Sequence, residues 1–369
     1  MKKFLTFLAT ILIVAISIPP ATAIENEFVV VTEVTHRNFD GFFRDDLLAQ
    51  SLSPTGRLGA LVYVPIKTNR TWIIDPALVD EVVAMTNKYS LVNKDPGVGS
   101  DIALSWITQL RYVTSRNQVV ALAYGNPDIK LAKRLAPSEL KMYFSYGNES
   151  LSKNLIRLVS TRPSFTPTKA VSRLSNLQKV SYTKNRQRLT ELSRVVDDAE
   201  LKALRAKLAI LLSPSLNREN RNYFSLQAIK AVKNEVGKIS VNEGKYRLTS
   251  AEVKVPVTIT NKYPVPITLD LWLTPDNFKA YTPNIRDITI AANSKLQLSM
   301  DVSVVAPGNT TIEAQLTDSK GNNVGEPAML SLNLTVIDTR VAWFTTGAAI
   351  ILFLAAVAQS VRRIRRSKK

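Results

Sequence analysis

The spacing of apolar residues changes twice along this chain of 369 residues, and each spacing is typical of a different architecture. From Phe28 to about Gly147, strand-like runs alternate with runs that have helical spacing. The predicted strands are EFVVVTEV, LGALVYVP, TWIIDP and QVVALAYG, and the predicted helices are ALVDEVVAMTNKY and SDIALSWITQL. Strand, helix, strand in that order predicts a parallel sheet with right-handed crossovers.

The middle of the chain has helical spacing, and the next segment alternates with period two. Residues 150–240 contain few helix breakers, so they predict a helical region. Residues 246–337 contain about seven short alternating runs separated by turns, which predict an immunoglobulin-like sandwich. The expected fold class is therefore multidomain, with an α/β region at 24–149, basic helices at 150–240 and a sandwich.

The two ends of the chain suggest export and anchoring. Residues 1–23 have two lysines, an apolar run and the small-residue sequence Ala-Thr-Ala, the pattern of a cleaved signal peptide. Residues 341–360 form an uncharged run of the length of one transmembrane helix, and the tail 361–369 carries six positive charges. We expect a single-pass membrane protein with an extracytoplasmic body and a cytoplasmic tail.

The composition excludes several kinds of chemistry. The chain has no cysteine, which removes disulfides, thiolate nucleophiles and cysteine-ligated metal centres. His36 is the single histidine, so a centre with two or more imidazole ligands is impossible. We therefore predict no metal and no cofactor.

The positive charge is concentrated in one segment. The formal net charge is +18, and residues 130–240 contain 22 Lys and Arg against 8 Asp and Glu. We predict that this segment contacts an anionic wall polymer or lipid headgroups, through Lys184, Arg186 and Arg188 of the sequence KNRQR. The alternative is that these residues cover solvated helix faces and bind nothing. We expect no nucleic-acid partner.

Asp75 and Asp128 each follow a predicted strand and precede a helical run. Aspartate is a favoured N-cap, and Pro76 suits the first position of a helix, so capping explains both residues without any chemistry. Acids at the carboxyl ends of parallel strands also line the sites of many barrel enzymes. The pair could bind a glycan, or act as acid and base in glycoside hydrolysis. These alternatives stay open.

Several stretches, in order, resemble one family. They are TWIIDPALVDEV, ALSWITQLR, VVALAYGNPDIKLAKRL and LTSAEVKVPVTITNKYPVPITLDLWL, followed by the apolar segment with basic flanks. They resemble actinobacterial secreted, membrane-anchored proteins of unknown function that are often encoded beside the lipid II flippase. Longer members look like a (β/α) barrel distantly similar to polysaccharide deacetylases and glycoside hydrolases. The resemblance implies a partial barrel here, because too few strands are present to close eight.

The functional expectation follows from these points. We predict a non-catalytic binding or scaffold protein of the bacterial cell envelope. One alternative is a glycan-processing enzyme, hydrolase or deacetylase-like, that uses Asp75 and Asp128, although a deacetylase would lack its usual histidine ligands. Another alternative, implied by the resemblance, is an accessory subunit of a polytopic membrane protein such as a lipid II flippase.

Overall fold

The structure is a computed structural model that describes residues 27–65, 70–162, 171–335 and 339–366, and within the last helix the side chains of 346–360. The predicted signal peptide at 1–23 lies outside these ranges.

The amino-terminal region contains an open, all-parallel sheet. Its strands are β1 (Glu27–Val31), β2 (Arg70–Ile74), β3 (Gln118–Ala121) and β4 (Ser160–Thr161), and they pair in chain order. Between them lie α1 (Leu47–Leu52), α2 (Arg57–Tyr63), α3 (Pro76–Met85), α4 (Ser100–Thr114), α5 (Ile129–Leu135) and α6 (Pro137–Leu155). Because the four strands are parallel, their carboxyl ends lie at the same edge of the sheet.

One predicted strand is wrong. The run LGALVYVP, from Leu58, forms α2 rather than a strand of the sheet. The buried residues of α2 are Leu58, Gly59 and Val62, which share one helical face. The Trp106 ring nitrogen donates to the Leu58 carbonyl at 3.0 Å, which holds this helix against α4. In a short apolar run, the spacing of apolar residues does not distinguish a strand from a helix, so tertiary packing determines which one forms.

The helical region consists of α7 (Asn176–Leu192), α8 (Ala199–Lys207), a 3-10 segment (Leu208–Leu212) and α9 (Arg218–Val236). Side chains cap all three α-helices at their amino ends: Ser175 caps α7 in a capping box with Gln178, Asp198 caps α8 and Asn217 caps α9. Caps of this kind satisfy backbone N–H groups that a helix leaves free.

The carboxyl-terminal region is a β-sandwich of two sheets. Its strands are β5 (Ile239–Val241), β6 (Gly244–Leu248), β7 (Glu252–Asn261), β8 (Ile267–Pro275), β9 (Ala280–Tyr281), β10 (Ile285–Ile290), β11 (Ser294–Val304), β12 (Gly308–Thr317) and β13 (Asn323–Leu334). One sheet has the order β10-β8-β12-β13-β6 and the other β5-β7-β11-β9. Inward residues alternate as predicted, for example Leu269, Leu271 and Leu273 on β8. The sandwich begins at Ile239, before the predicted boundary at 246.

The sandwich shares its core with the helices. One continuous cluster of buried apolar residues runs from α6, α7 and α9 into both sheets. Tyr263, between β7 and β8, is fully buried, and its hydroxyl donates to the Glu235 carbonyl of α9 at 3.1 Å. Arg188 of α7 pairs with Glu326 of β13 at 2.9 Å. The helical region and the sandwich therefore pack as neighbours.

The prediction of a transmembrane helix at 341–360 is wrong. The segment lies in α10 (Thr339–Arg366), but no helix among the residues covered by the structure is both long and apolar enough to span a membrane. The predicted single-pass topology, with the tail 361–369 in the cytoplasm, depended on that helix and is therefore not supported.

Candidate functional site

A cleft of about 620 Å³ opens at the carboxyl ends of the parallel strands, where α8 and α9 approach α3. Ligands of open α/β sheets commonly bind at this edge, because the loops and helix starts that follow the strands meet there. The cleft is lined by residues of the α/β region, among them Arg37, Asp80 and Tyr124, and by residues of the helical region, among them Lys207. Both regions are needed to form it.

Asp80 lies on α3 and is held from three sides. Its carboxylate accepts hydrogen bonds from Ser150 and from the Asn154 amide at 2.6 Å, both on α6, and from the Tyr124 hydroxyl. Burial raises the pKa of Asp80, and the three donors oppose that rise. This carboxylate therefore fastens α3 to α6 at the wall of the cleft.

Glu81, the next residue of α3, is also buried. It accepts a hydrogen bond from the Thr35 hydroxyl and one from the His36 backbone N–H at 2.9 Å. Burial raises the pKa of Glu81, and the positive charge of Lys207 opposes the rise. Because Thr35 and His36 follow β1, Glu81 fixes the path of the chain that forms the other wall.

Lys207 ends α8, and its side chain points into the cleft. The Nζ atom donates to the Asn38 carbonyl at 2.7 Å and lies 5.4 Å from the centre of the Phe39 ring. Burial of the amine lowers the pKa of Lys207 to about 8, while the charge of Glu81 opposes the fall. The amine is therefore mainly protonated at pH 7.

Two tyrosines form an apolar surface in the cleft. The rings of Tyr124 and Tyr146 pack edge to face, with centroids 5.1 Å apart. The Tyr124 hydroxyl donates to Asp80, whereas Tyr146 is half-buried, with burial raising its pKa to about 12. Both phenols stay neutral at physiological pH, so they offer ring faces and a hydroxyl rather than charge.

Asp75 lies beneath the cleft rather than in its wall. Its Oδ1 atom accepts from the backbone N–H of Ala77 at 3.0 Å and from that of Gly125 at 2.9 Å. The first bond caps α3, and the second joins β2 to the turn after β3, where Gly125 has a φ of +73°. Burial raises the pKa of Asp75 to about 7. The capping interpretation is confirmed for this residue.

Asp128 also serves as a cap. Its Oδ1 accepts from the Leu131 N–H at 3.0 Å, at the start of α5, and its Oδ2 accepts from the Ser172 N–H at 3.0 Å. It does not line the cleft. Asp75 and Asp128 thus share no hydrogen-bond partner, and neither faces the space in which a substrate would sit.

The basic cluster predicted on KNRQR forms part of α7. Of the three residues, Lys184 is exposed, while Arg186 and Arg188 are half-buried. Arg188 is paired with Glu326 of the sandwich, and the charge of Arg186 acts on the buried Tyr143 and Tyr182. One of the three cations is thus paired within the fold, and contact with an anionic surface stays a prediction.

Sequence reasoning missed Asp80, Glu81 and Lys207. A signal existed for the two acids, because they interrupt an otherwise apolar helix in PALVDEVVAM, and a wholly buried helix carries acids only where they have partners. Lys207 had no such signal among the 22 basic residues of its segment. In the part of the chain that the structure covers, no group of three or more metal-ligating side chains is placed to hold an ion.

These features define a protein in which an open parallel α/β unit and a helical region enclose a cleft, followed by a β-sandwich. The chain belongs to DUF6049, a family of unknown function, which it matches over residues 148–369. The matched part contributes Lys207 and the α9 side of the cleft, whereas Arg37, Asp80 and Tyr124 precede it. No curated protein matches the chain.

Solved structures share short parts of the chain at low identity. A Caenorhabditis elegans member of the MSP family is 18% identical, over 26% of this chain and 97% of that one, with a TM-score of 0.20. The CARDB domain of a Pyrococcus furiosus protein is 12% identical, over 26% and 94%, with a TM-score of 0.21. The secreted serine protease VesC of Vibrio cholerae is 11% identical, over 26% and 23%, with a TM-score of 0.21. Scores this low carry no argument about fold or function.

Proposed function

We propose that this protein is a non-catalytic binding protein and that the cleft is its ligand site, with a glycan as the class of ligand. The observation that carries the proposal is that the acids of the cleft wall, the half-buried Asp80 and the buried Glu81, are held by donors of the protein itself. They brace the walls, while the ring of Tyr146 and the amides of Asn87, Gln227 and Asn234 face the cavity. Ring faces and amides together suit a polyhydroxylated ligand.

The family resemblance suggests where in the cell the proposed function would take place. The resemblance to proteins encoded beside the lipid II flippase supports a role in the cell envelope. A scaffold that accompanies a polytopic membrane protein would have the same setting, and co-purification of the two proteins from native extracts is the observation that would favour it.

The test is titration of the full chain with a panel of neutral oligosaccharides, followed by calorimetry. Tyr146→Ala should weaken binding about fivefold, because a stacking surface worth roughly 1 kcal/mol is lost. The matched control is Tyr281→Ala, which removes an exposed tyrosine from β9 of the sandwich. Equal binding by the wild-type protein and Tyr146→Ala would move the ligand site away from the cleft.

The enzymatic alternative has one observation in its favour. Asp80 lies in the cleft wall with a raised pKa, as catalytic acids often do. If the protein hydrolyses glycans, the same oligosaccharides should release new reducing ends, and Asp80→Asn should abolish that release. Asp75→Asn and Asp128→Asn would then retain activity, since neither side chain reaches the cavity.

A further inference from the structure

Among the described residues, the basic groups Arg37 and Lys207 of the cleft keep N–H groups without an acceptor, whereas the carboxylates of the cleft wall already accept hydrogen bonds from the protein. Asp80 has three donors, Glu81 has two, and Glu235 pairs with Lys238 at 2.9 Å. Two further acids, Asp40 and Glu200, lie exposed at the rim. A carboxylate whose charge is already compensated by the protein does not attract a ligand. The numbers of acidic and basic residues that line the cleft therefore do not indicate the charge of its ligand.

Lys207 offers most of its donors to the cavity. Its ammonium has three N–H groups, and among the described residues only the Asn38 carbonyl accepts from it within hydrogen-bond distance. No carboxylate in that part of the chain lies within ion-pair distance of the amine, although the charge of Glu81 acts on it. Its direct acceptor is therefore neutral, while the charges of Glu81, Asp40 and Asp80 act on the amine from beyond ion-pair distance.

Arg37 lies beside it in a similar state. Its Nε donates to the Gly41 carbonyl at 3.0 Å, and its guanidinium lies 5.9 Å from the centre of the Phe43 ring. Arg37, Asp80 and Lys207 all line the same cleft, and the charge of Arg37 lowers the pKa of the other two groups. Within the described ranges, the terminal nitrogens of Arg37 form no ion pair. Two cations that line one cleft and have N–H donors left over can together bind an oxyanion.

We propose that Arg37 and Lys207 bind an acidic group, a carboxylate or a phosphate, carried by the glycan or polyol that occupies the cleft. This inference rests on the proposed function, because the neutral part of the ligand is assigned to the tyrosine side of the cavity. An acid between the two cations relieves their mutual repulsion and fills the donors that the fold leaves free. The cleft of about 620 Å³ has room for a short oligomer around that group.

The experiment compares three probes by calorimetry against the full chain: trigalacturonate, its fully methyl-esterified form and a trimer of glycerol phosphate. The wild-type protein should bind at least one acidic probe more tightly than the ester. Lys207→Met and Arg37→Met should each weaken binding of that probe about tenfold, the loss expected for one charge-assisted hydrogen bond, and leave the ester unchanged. The preference between trigalacturonate and the phosphate trimer distinguishes a carboxylate ligand from a phosphate ligand.

The control is Lys233→Met, which removes an exposed lysine of α9 that does not line the cleft. It should bind every probe like the wild-type protein. Both side chains are half-buried, so the melting temperature of each variant is compared first, and Arg37 supplies a second variant from a distant segment of the chain. Equal affinity for ester and acids, or acid binding unaffected by both variants, overturns the assignment of the cations while the neutral glycan site stands. Absence of binding by all three probes overturns the assignment of the cations, and the panel of neutral oligosaccharides decides the proposed function separately.

Discussion

The cleft half of the molecule and the β-sandwich bury different kinds of side chain. Around the cleft, the α/β and helical regions enclose Asp75, Glu81, Glu139 and Arg221, each less than 10% exposed. The sandwich encloses mainly alternating aliphatic residues, and its buried acid, Asp318, closes its own turn with Asn322. The sandwich is therefore held by apolar packing, which requires no particular charge state.

The difference shows where charge organises the fold. A buried ion needs partners placed by the rest of the structure, and its loss leaves the partner unsatisfied. In the cleft half such partners join separate elements: Glu139 of α6 binds Arg205 of α8, and Arg221 of α9 donates to the Leu211 and Leu216 carbonyls. We expect this half to respond far more strongly to the removal of charge.

The largest effect should come from Glu139→Ala. The carboxylate is fully buried and accepts two hydrogen bonds of 2.7 Å from Arg205. Its removal leaves the Arg205 guanidinium, between α6 and α8, without its charged partner. We expect a loss of about 3 kcal/mol in the free energy of unfolding, measured by urea denaturation. The sandwich counterpart is Asp301→Ala, which breaks an exposed pair with Lys254 at 3.9 Å and should change stability by less than about 0.5 kcal/mol. Equal losses would remove the contrast between the two halves.

A smaller effect should separate the two predicted aspartates. Asp75→Ala leaves the buried N–H groups of Ala77 and Gly125 without an acceptor, and we expect a loss of about 2 kcal/mol at pH 5. Asp128→Ala removes a half-buried cap and should cost about 1 kcal/mol. The comparison of unfolding midpoints tests whether burial, rather than capping alone, sets the difference. A larger loss at Asp128 would contradict it.

The pH dependence of stability should have opposite signs in the two halves. Burial raises the pKa of Asp75 from 3.8 to about 7, so its contribution is fully present below about pH 3.8 and is lost as the pH rises through 7. In the sandwich, the Thr310 hydroxyl and the Thr311 N–H lower the pKa of Asp276, whose contribution is present above pH 3.8 and is lost at lower pH.

Urea midpoints between pH 3 and pH 8 check both signs. Asp75→Asn keeps the acceptor oxygen and stays neutral, so it should flatten the decline between pH 4 and pH 7 relative to the wild-type protein. Asp276→Asn should leave that range unchanged and reduce the decline below pH 4. If Asp75→Asn reproduces the wild-type profile at every pH, the buried carboxyl does not titrate in this range.

The sequence by itself determined those features that depend on local chemistry. Period-two spacing identified the β8 and β11 strands, and Asp-Pro identified the start of α3, because alternation and capping act over a few residues. The run that begins at Leu58 was wrongly predicted as a strand, because a short apolar segment can form either a strand or a helix. Its contact with Trp106 favours the helix that the structure shows. The apolar run at 341–360 was overinterpreted as a membrane span from its length alone.

Which residues line the cleft could be determined only from the tertiary structure. Asp75 and Asp128 looked equivalent in sequence, and the fold buried one beneath the cleft and used the other to cap α5. The residues that do face the cavity, Arg37, Tyr146 and Lys207, come from three distant segments whose spacing carries no common period. Their meeting depends on parallel strands ending at one edge and on α8 packing across it, and long-range packing of that kind leaves no mark in local sequence.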